Sequence, residues 1–282
     1  MTLSRRQILA RCFFGVLFAL SVTTEARTRE ECENTFRPQT GQSGKDVVWV
    51  PTGDGLVTRM LQMAAVTPQD RVYDLGSGDG KIAIAAAKQF GAKAVGVEYN
   101  PDLARLAQCF AEAEGVANKV RIIQGDIFET DFSSATVVTL YLLPELNLRL
   151  RPTILKMRPG TRVVSHSFLM DDWDPDERSM SEDGTAYLWI VPAQVSGKWT
   201  FKQQGGSDRF NVELEQVFQA INGTAGEPRQ SLISAKLAGT QLDMTFMRDG
   251  ALTTVKGEVN GSRIDAKVTR GDATSRYVGS RT

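Results

Sequence analysis

The chain reads as an α/β protein, a doubly wound and mostly parallel sheet, followed by a small antiparallel β domain. Three observations predict this. From Val47 to about Pro192, short runs rich in valine and isoleucine alternate with segments whose apolar residues recur three or four apart. A glycine-rich turn, Asp74-Leu75-Gly76-Ser77-Gly78-Asp79-Gly80, stands between the first run and the first helical segment. From about Ser196 the period changes to two, with Asp249-Gly250 and Asn260-Gly261 between alternating runs as hairpin turns.

Taken in order, the first 26 residues read as a signal peptide or anchor. Arg5 and Arg6 precede an uncharged, mostly apolar run from Cys12 to Thr24, and Ala26 is small enough for a cleavage site. The run is shorter than the ~20 residues of a membrane span. Paired arginines after Ser4 suggest twin-arginine export, with an ordinary secretory signal, an uncleaved anchor or a cytoplasmic chain as alternatives. Membrane contact is expected only through this segment, if it stays uncleaved. Residues 27–46 are polar and aperiodic, and are expected to form a flexible leader. Cys32 would lie in that leader and Cys109 on a half-buried helix, so the two are read as unpaired. Pairing in an oxidising compartment is the alternative.

Residues 47–195 form the α/β unit. Its strands are Arg71–Leu75, Ala94–Glu98, Val120–Gln124, Thr136–Leu142 and Arg162–Phe168. Its helices are Lys81–Phe90, Pro101–Glu114 and Pro144–Met157. In the second, Leu103, Leu106, Ala107 and Phe110 share one face. After the fifth strand only Tyr187–Val191 reads as a strand, and Asp171–Glu177 reads either as an acidic stretch that attracts a basic substrate peptide or as a solvated loop. Residues 196–282 form the β domain, where Phe210, Val212 and Leu214, then Leu242, Met244 and Phe246, alternate with polar residues.

Composition removes several function classes. Lysine plus arginine equals aspartate plus glutamate, 33 against 33, so no general attraction to nucleic acid is expected. One histidine and three cysteines without a CxxC pair leave no four-ligand zinc set, and no metal is expected. No GxSxG elbow accompanies His166.

The glycine turn sits where doubly wound sheets bind nucleotides. Two acids sharpen it. Glu98 ends the second strand, where a carboxylate can accept from two ribose hydroxyls, and Asp126 follows the third, where it can face an adenine amino group. Together with Asp74 they make an acidic rim, unfavourable to a pyrophosphate and favourable to a cationic ligand. S-adenosylmethionine (SAM), with an adenosine, an amine and a sulfonium, matches. The candidate cofactor residues are Asp74, Gly76, Ser77, Gly78, Asp79, Gly80, Glu98 and Asp126.

Val72-Tyr73-Asp74-Leu75-Gly76-Ser77-Gly78-Asp79-Gly80, with Val95-Gly96-Val97-Glu98 and the upstream Val50-Pro51-Thr52, resembles the class I SAM-dependent methyltransferases. Within them the chain is most similar to the seven-strand protein-lysine methyltransferases of the FAM173 type, and more distantly to the Dot1 histone-lysine methyltransferases. The resemblance covers residues 47–192 and implies a Rossmann-like sheet, SAM as cofactor and methyl transfer, with a protein lysine amine as acceptor. A small-molecule or lipid-like amine, or a binding module without catalysis, are the alternatives.

The strand-four end, Leu140 to Asn147, is where the acceptor is expected. Tyr141 would orient the amine, Leu142, Leu143 and Pro144 would line a dry channel, and Glu145 or Asn147 would hold the substrate at its mouth. Alternatively Tyr141 packs under the adenine, and Glu145 favours its helix terminus. His166, near the end of the fifth strand, is a minor third catalytic candidate. The β domain is expected to do no chemistry, and instead to cover the substrate side, dock a partner, or complete the sheet edge left with one strand too few.

Overall fold

The computed structural model describes residues 27–282. The export segment, residues 1–26, lies outside the described residues. The structure begins with a helix, α1 (Arg29–Phe36), where a flexible leader was expected. Its start is a capping box: Thr28 Oγ1 accepts from the Glu31 N–H, and Glu31 Oε2 accepts from the Thr28 N–H. Eight residues are too few to hold a helix alone. Tertiary contact supplies the rest. Cys32 is buried and forms a disulfide with Cys109 on α4 (Pro101–Ala113), so the unpaired reading of these cysteines was wrong. The Arg29 guanidinium stacks 3.7 Å from the Phe110 ring centroid beside it.

Residues 38–53 then run across the molecule, tied down by an antiparallel bridge between Ser43 and Val48, and lead into α2 (Asp54–Met63). That helix buries Leu56, Val57, Met60 and Leu61 against the sheet. Strands β1 (Arg71–Leu75), β2 (Lys93–Glu98), β3 (Val120–Gln124), β4 (Val137–Leu140) and β5 (Arg162–His166) are parallel. Helices α3 (Lys81–Phe90), α4 and α5 (Pro144–Ile154) connect them. β6 (Glu177–Ser181) and β7 (Gly184–Ile190) follow as a hairpin, and β7 runs antiparallel to β5.

The order is β3-β2-β1-β4-β5-β7-β6. The sheet therefore completes its own edge. β6 escapes a periodicity reading because all its residues are exposed or half-buried, Glu177-Arg178-Ser179-Met180-Ser181, as an edge strand covered on neither face allows.

The second sheet holds nine antiparallel strands: β8 (Gly197–Gln203), β9 (Arg209–Val217), β10 (Ala220–Ala225), β11 (Gln230–Ser231), β12 (Ser234–Ala238), β13 (Gln241–Arg248), β14 (Ala251–Asn260), β15 (Arg263–Arg270) and β16 (Ala273–Arg281). It curls around its own core, where Trp199, Phe201, Phe210 and Phe246 are buried. Asp249 and Gly250 both have positive φ, 47° and 75°, as the tightest hairpin turn requires.

The two units meet away from the carboxyl ends of the parallel strands. The Trp173 indole N–H donates to Gln219 Oε1 at 2.8 Å, and its ring stacks on Phe218 with centroids 5.8 Å apart. Gly239 closes against Gly160, just before β5, and its carbonyl accepts from the Ala193 N–H. The acidic loop expectation changes accordingly: Trp173 within it is fully buried and joins the two units.

Candidate active site

At the carboxyl ends of β1, β2 and β4, where the strand order reverses, lies a cleft of about 310 Å³. The glycine turn forms its floor. Gly76 and Gly78 have φ of +79° and +55°, a conformation costly for any other residue. A Cβ on Gly78 would also fall 2.5 Å from the Trp49 indole, which covers this part of the turn. Gly80 has a different task. It does not line the cleft; its missing Cβ lets α3 approach Ala107 of α4. Ser77 lies at the cleft, but its hydroxyl rests against Gly96 and has no hydrogen-bond partner.

The acids are fixed by donors. Asp74 is buried at the end of β1 and accepts from Thr139 Oγ1 at 2.7 Å. Burial, with Asp79 and Glu98 nearby, pushes it up to about 7. Glu98 accepts from the Gly78 N–H and the Asn100 N–H, both at 2.8 Å, which locks the turn to the end of β2. Burial raises Glu98 above the usual carboxylate range against the pull of these backbone donors, and raises Asp79 against the pull of the Lys81 N–H. A carboxylate has about four lone-pair sites. Those on Glu98 are met in part by backbone N–H groups of Gly78, Asn100 and Tyr99, which leaves acceptor capacity for a ribose.

Asp126 accepts from the Phe128 N–H at 2.8 Å, and Lys45 holds its other oxygen, which keeps it below the usual range. Lys45 belongs to the stretch that composition marks as leader. Gly44 to Thr52 lines the cleft along one side, so this segment is a strap across the cofactor site. Its one signal in the sequence is Val50-Pro51-Thr52, which carries meaning only through the family resemblance.

The remaining candidates separate. Tyr141 lines the cleft beside Leu142 and Leu143. His166 is buried directly behind it, its ring 3.7 Å from the phenol ring centroid. Glu145 is exposed in the first turn of α5 and does not reach the cleft, so its placement at the substrate mouth is corrected; its carboxylate favours the helix N-terminus instead. Lys81, Tyr99 and Phe168 line the cleft and were not anticipated. No residue beyond Phe168 does so among the described residues, which removes the β domain from the substrate side.

These residues fit SAM. The glycine turn lies on the cleft floor with Leu142 and Trp49 packed against it, Glu98 has a free acceptor site, and several carboxylates face a ligand that carries a sulfonium and an ammonium. When bound, SAM supplies an already activated methyl group.

Comparison with known proteins agrees. The ANTKMT methyltransferase domain family matches residues 74–177. A protein-lysine N-methyltransferase of Saccharolobus islandicus is 48% identical over 151 residues, 51% of this chain and 94% of that protein. An adenine nucleotide translocase lysine N-methyltransferase of Mus musculus is 31% identical over 128 residues, 45% of this chain and 55% of that one. Among solved structures, an RNA methyltransferase from Salinibacter ruber in complex with S-adenosyl-L-homocysteine shares 47% identity, covers 56% of this chain and 99% of its own, and has a TM-score of 0.51. With a 48% identical relative spanned almost from end to end, and a cleft whose residues suit the cofactor, the chain belongs to the SAM-dependent protein-lysine N-methyltransferase family.

Proposed function

We propose that the protein methylates a lysine side chain of a protein acceptor in the cell envelope, using SAM bound between the glycine turn and the strap. The observation that carries this is the cleft itself. Its cofactor end is acidic, and its open end is apolar, formed by Tyr141, Leu142, Leu143, Leu146 and Phe168. An amine entering along such walls is desolvated, which lowers its pKa toward the neutral, nucleophilic form. Around the rim Val48, Val50, Tyr99, Leu143 and Leu169 are exposed, a surface suited to an acceptor lysine flanked by apolar residues. The envelope location draws on Arg5-Arg6 and the apolar run behind them, together with the Cys32–Cys109 disulfide, which persists in an oxidising compartment. Twin-arginine export, which carries folded proteins, would allow SAM to travel in from the cytosol.

An RNA acceptor is the second reading, favoured by the 47% identity to the Salinibacter RNA methyltransferase. The balanced charge and the apolar rim weigh against it. Incubating the chain with methyl-tritiated SAM and fractionated envelope, RNA and extractable small molecules separates the readings. Label in protein, located by mass spectrometry on lysine, is expected. Label confined to RNA or to the extract overturns the protein-lysine reading.

A further inference from the structure

Thr52 closes the strap where it meets the cleft wall. Its side chain is buried, yet it lines the cleft, and its hydroxyl lies 3.1 Å from Nδ1 of His166, the chain's one histidine. Building on the amine-acceptor reading above, we infer that Thr52 and His166 form a proton relay for the incoming lysine. In this relay the ammonium passes a proton to Thr52 Oγ1 as the Thr52 hydroxyl proton moves to His166 Nδ1. The freed lone pair then forms the C–N bond to the methyl group as its C–S bond breaks; sulfur keeps that bonding pair and becomes a neutral thioether, and the positive charge passes to the methylated nitrogen. Thr52 is the catalytic residue of the pair. His166, which does not touch substrate, is its positioning residue and proton store.

A lysine ammonium has no lone pair, so a proton must leave before attack. The buried and half-buried acids of the cleft sit at the cofactor end, each already holding a donor: Asp74 the Thr139 hydroxyl, Asp79 the Lys81 N–H, Glu98 the Gly78 and Asn100 N–H groups, and Asp126 the Lys45 ammonium, while Asp46 is exposed on the strap. Glu145 is outside the cleft. Thr52 lines the cleft, hydrogen-bonded to the ring that stacks behind Tyr141.

Several contacts hold the pair in place. Lys81 Nζ donates to the Thr52 carbonyl at 3.0 Å and pairs with Asp54 at 2.9 Å, which anchors the end of the strap. A Cβ on Gly184 would lie 2.8 Å from His166 Nε2, so the β6–β7 hairpin closes on the ring only because a glycine is there. The groups facing the pair are the Tyr141 phenol from the end of β4, Lys81 and Asp54 at the Thr52 backbone, and Asp183 from the hairpin. Burial disfavours a proton on the ring, Asp183 favours one, and burial prevails, so the imidazole is neutral at neutral pH and free to accept.

Because the chain has one histidine, ring-¹⁵N labelling gives one spin system. The relay requires a neutral ring protonated on Nε2 at pH 7.5, with its Nδ1 resonance shifting in Thr52→Val. A ring protonated on Nδ1, or an imidazolium at that pH, overturns it. This result stands apart from the acceptor's identity, which the wild-type labelling experiment decides.

The second readout is kcat for methyl transfer between pH 6 and 9.5. Thr52→Val and His166→Gln should lower kcat about 10–100-fold at pH 7, in the range of general-base catalysis, and recover to within about threefold at pH 9.5, where more free amine is present. Thr52→Ser should retain the wild-type profile, and KM for SAM should change little in all three. A deficit equal at every pH, or no deficit, overturns the relay and leaves the Thr52–His166 bond a structural one.

Discussion

Asp74 shows how one residue couples burial to cofactor binding. Its carboxyl is held near 7, well above an ordinary aspartate, because it is out of water with other acids nearby. The raised value means that the neutral form stabilises the fold at low pH, and that this contribution is lost as pH rises through about 7. A cationic ligand reverses the preference and favours the carboxylate. SAM binding is therefore expected to release protons, and its affinity to rise up to about tenfold per pH unit below 7, levelling off above. Calorimetry in buffers of different ionisation enthalpy measures the proton count; Asp74→Asn should bind weakly and with no such dependence. Glu98 gives a second expectation at this scale. Glu98→Ala removes the acceptor of two backbone N–H groups as well as the ribose acceptor, and should weaken SAM binding by at least ~1.5–3 kcal/mol. Unchanged affinity in a folded variant would remove Glu98 from the cofactor site.

At the scale of elements, the N-terminal strap is the informative feature. Helix α1 is fastened to α4 by the disulfide, and the segment beyond it reaches the cleft through Lys45, Trp49 and Thr52. The cross-link spans 77 residues, and a loop of that length is worth roughly 4.5 kcal/mol in a chain-entropy view. Cys32→Ser should lower the denaturation midpoint and weaken SAM binding together, since a released α1 frees the strap. A variant destabilised to that degree with unaltered SAM affinity would show that Trp49 and Thr52 hold the strap without the helix. Lys45→Met tests the opposite effect: freeing Asp126 of its partner should tighten SAM binding several-fold, a modest change because the Lys45 ammonium is solvent-exposed.

For the whole molecule, the β domain stands apart from the cleft and docks on Trp173, Gly160 and Ala193. Ending the chain after Pro192 should leave SAM affinity within about threefold of the full chain. It would bare the face of Trp173 that now meets Phe218 and Gln219, so solubility should fall, which light scattering would follow. A soluble, folded core without SAM affinity would contradict this separation.

The strands β1 to β5, the helices between them, and the glycine turn with Glu98 and Asp126 were legible because each is a local pattern. Burial on both faces demands continuous apolar runs, and a tight turn demands glycine. The hairpin strands of the β domain were legible through their alternation for the same reason. What stayed hidden depends on partners distant in the chain. Exposed β6 carries no periodicity because it buries no face. Residues 27–46 look unstructured because their order comes from α4, 77 residues away along the disulfide, and from Asp126 across the cleft. Glu145 and, as a lesser candidate, His166 both stand near Tyr141 by spacing, and only the direction of α5 and the packing of β5 separate an exposed helix cap from a ring stacked behind the cleft. The amino-acid sequence by itself determined the sheet, the cofactor turn and the chemical class of its ligand, which rest on short-range sterics and charge. Tertiary structure alone decided what covers that turn, which hydroxyl reaches the histidine, and where the β domain docks, because those contacts exist only once distant segments are brought together.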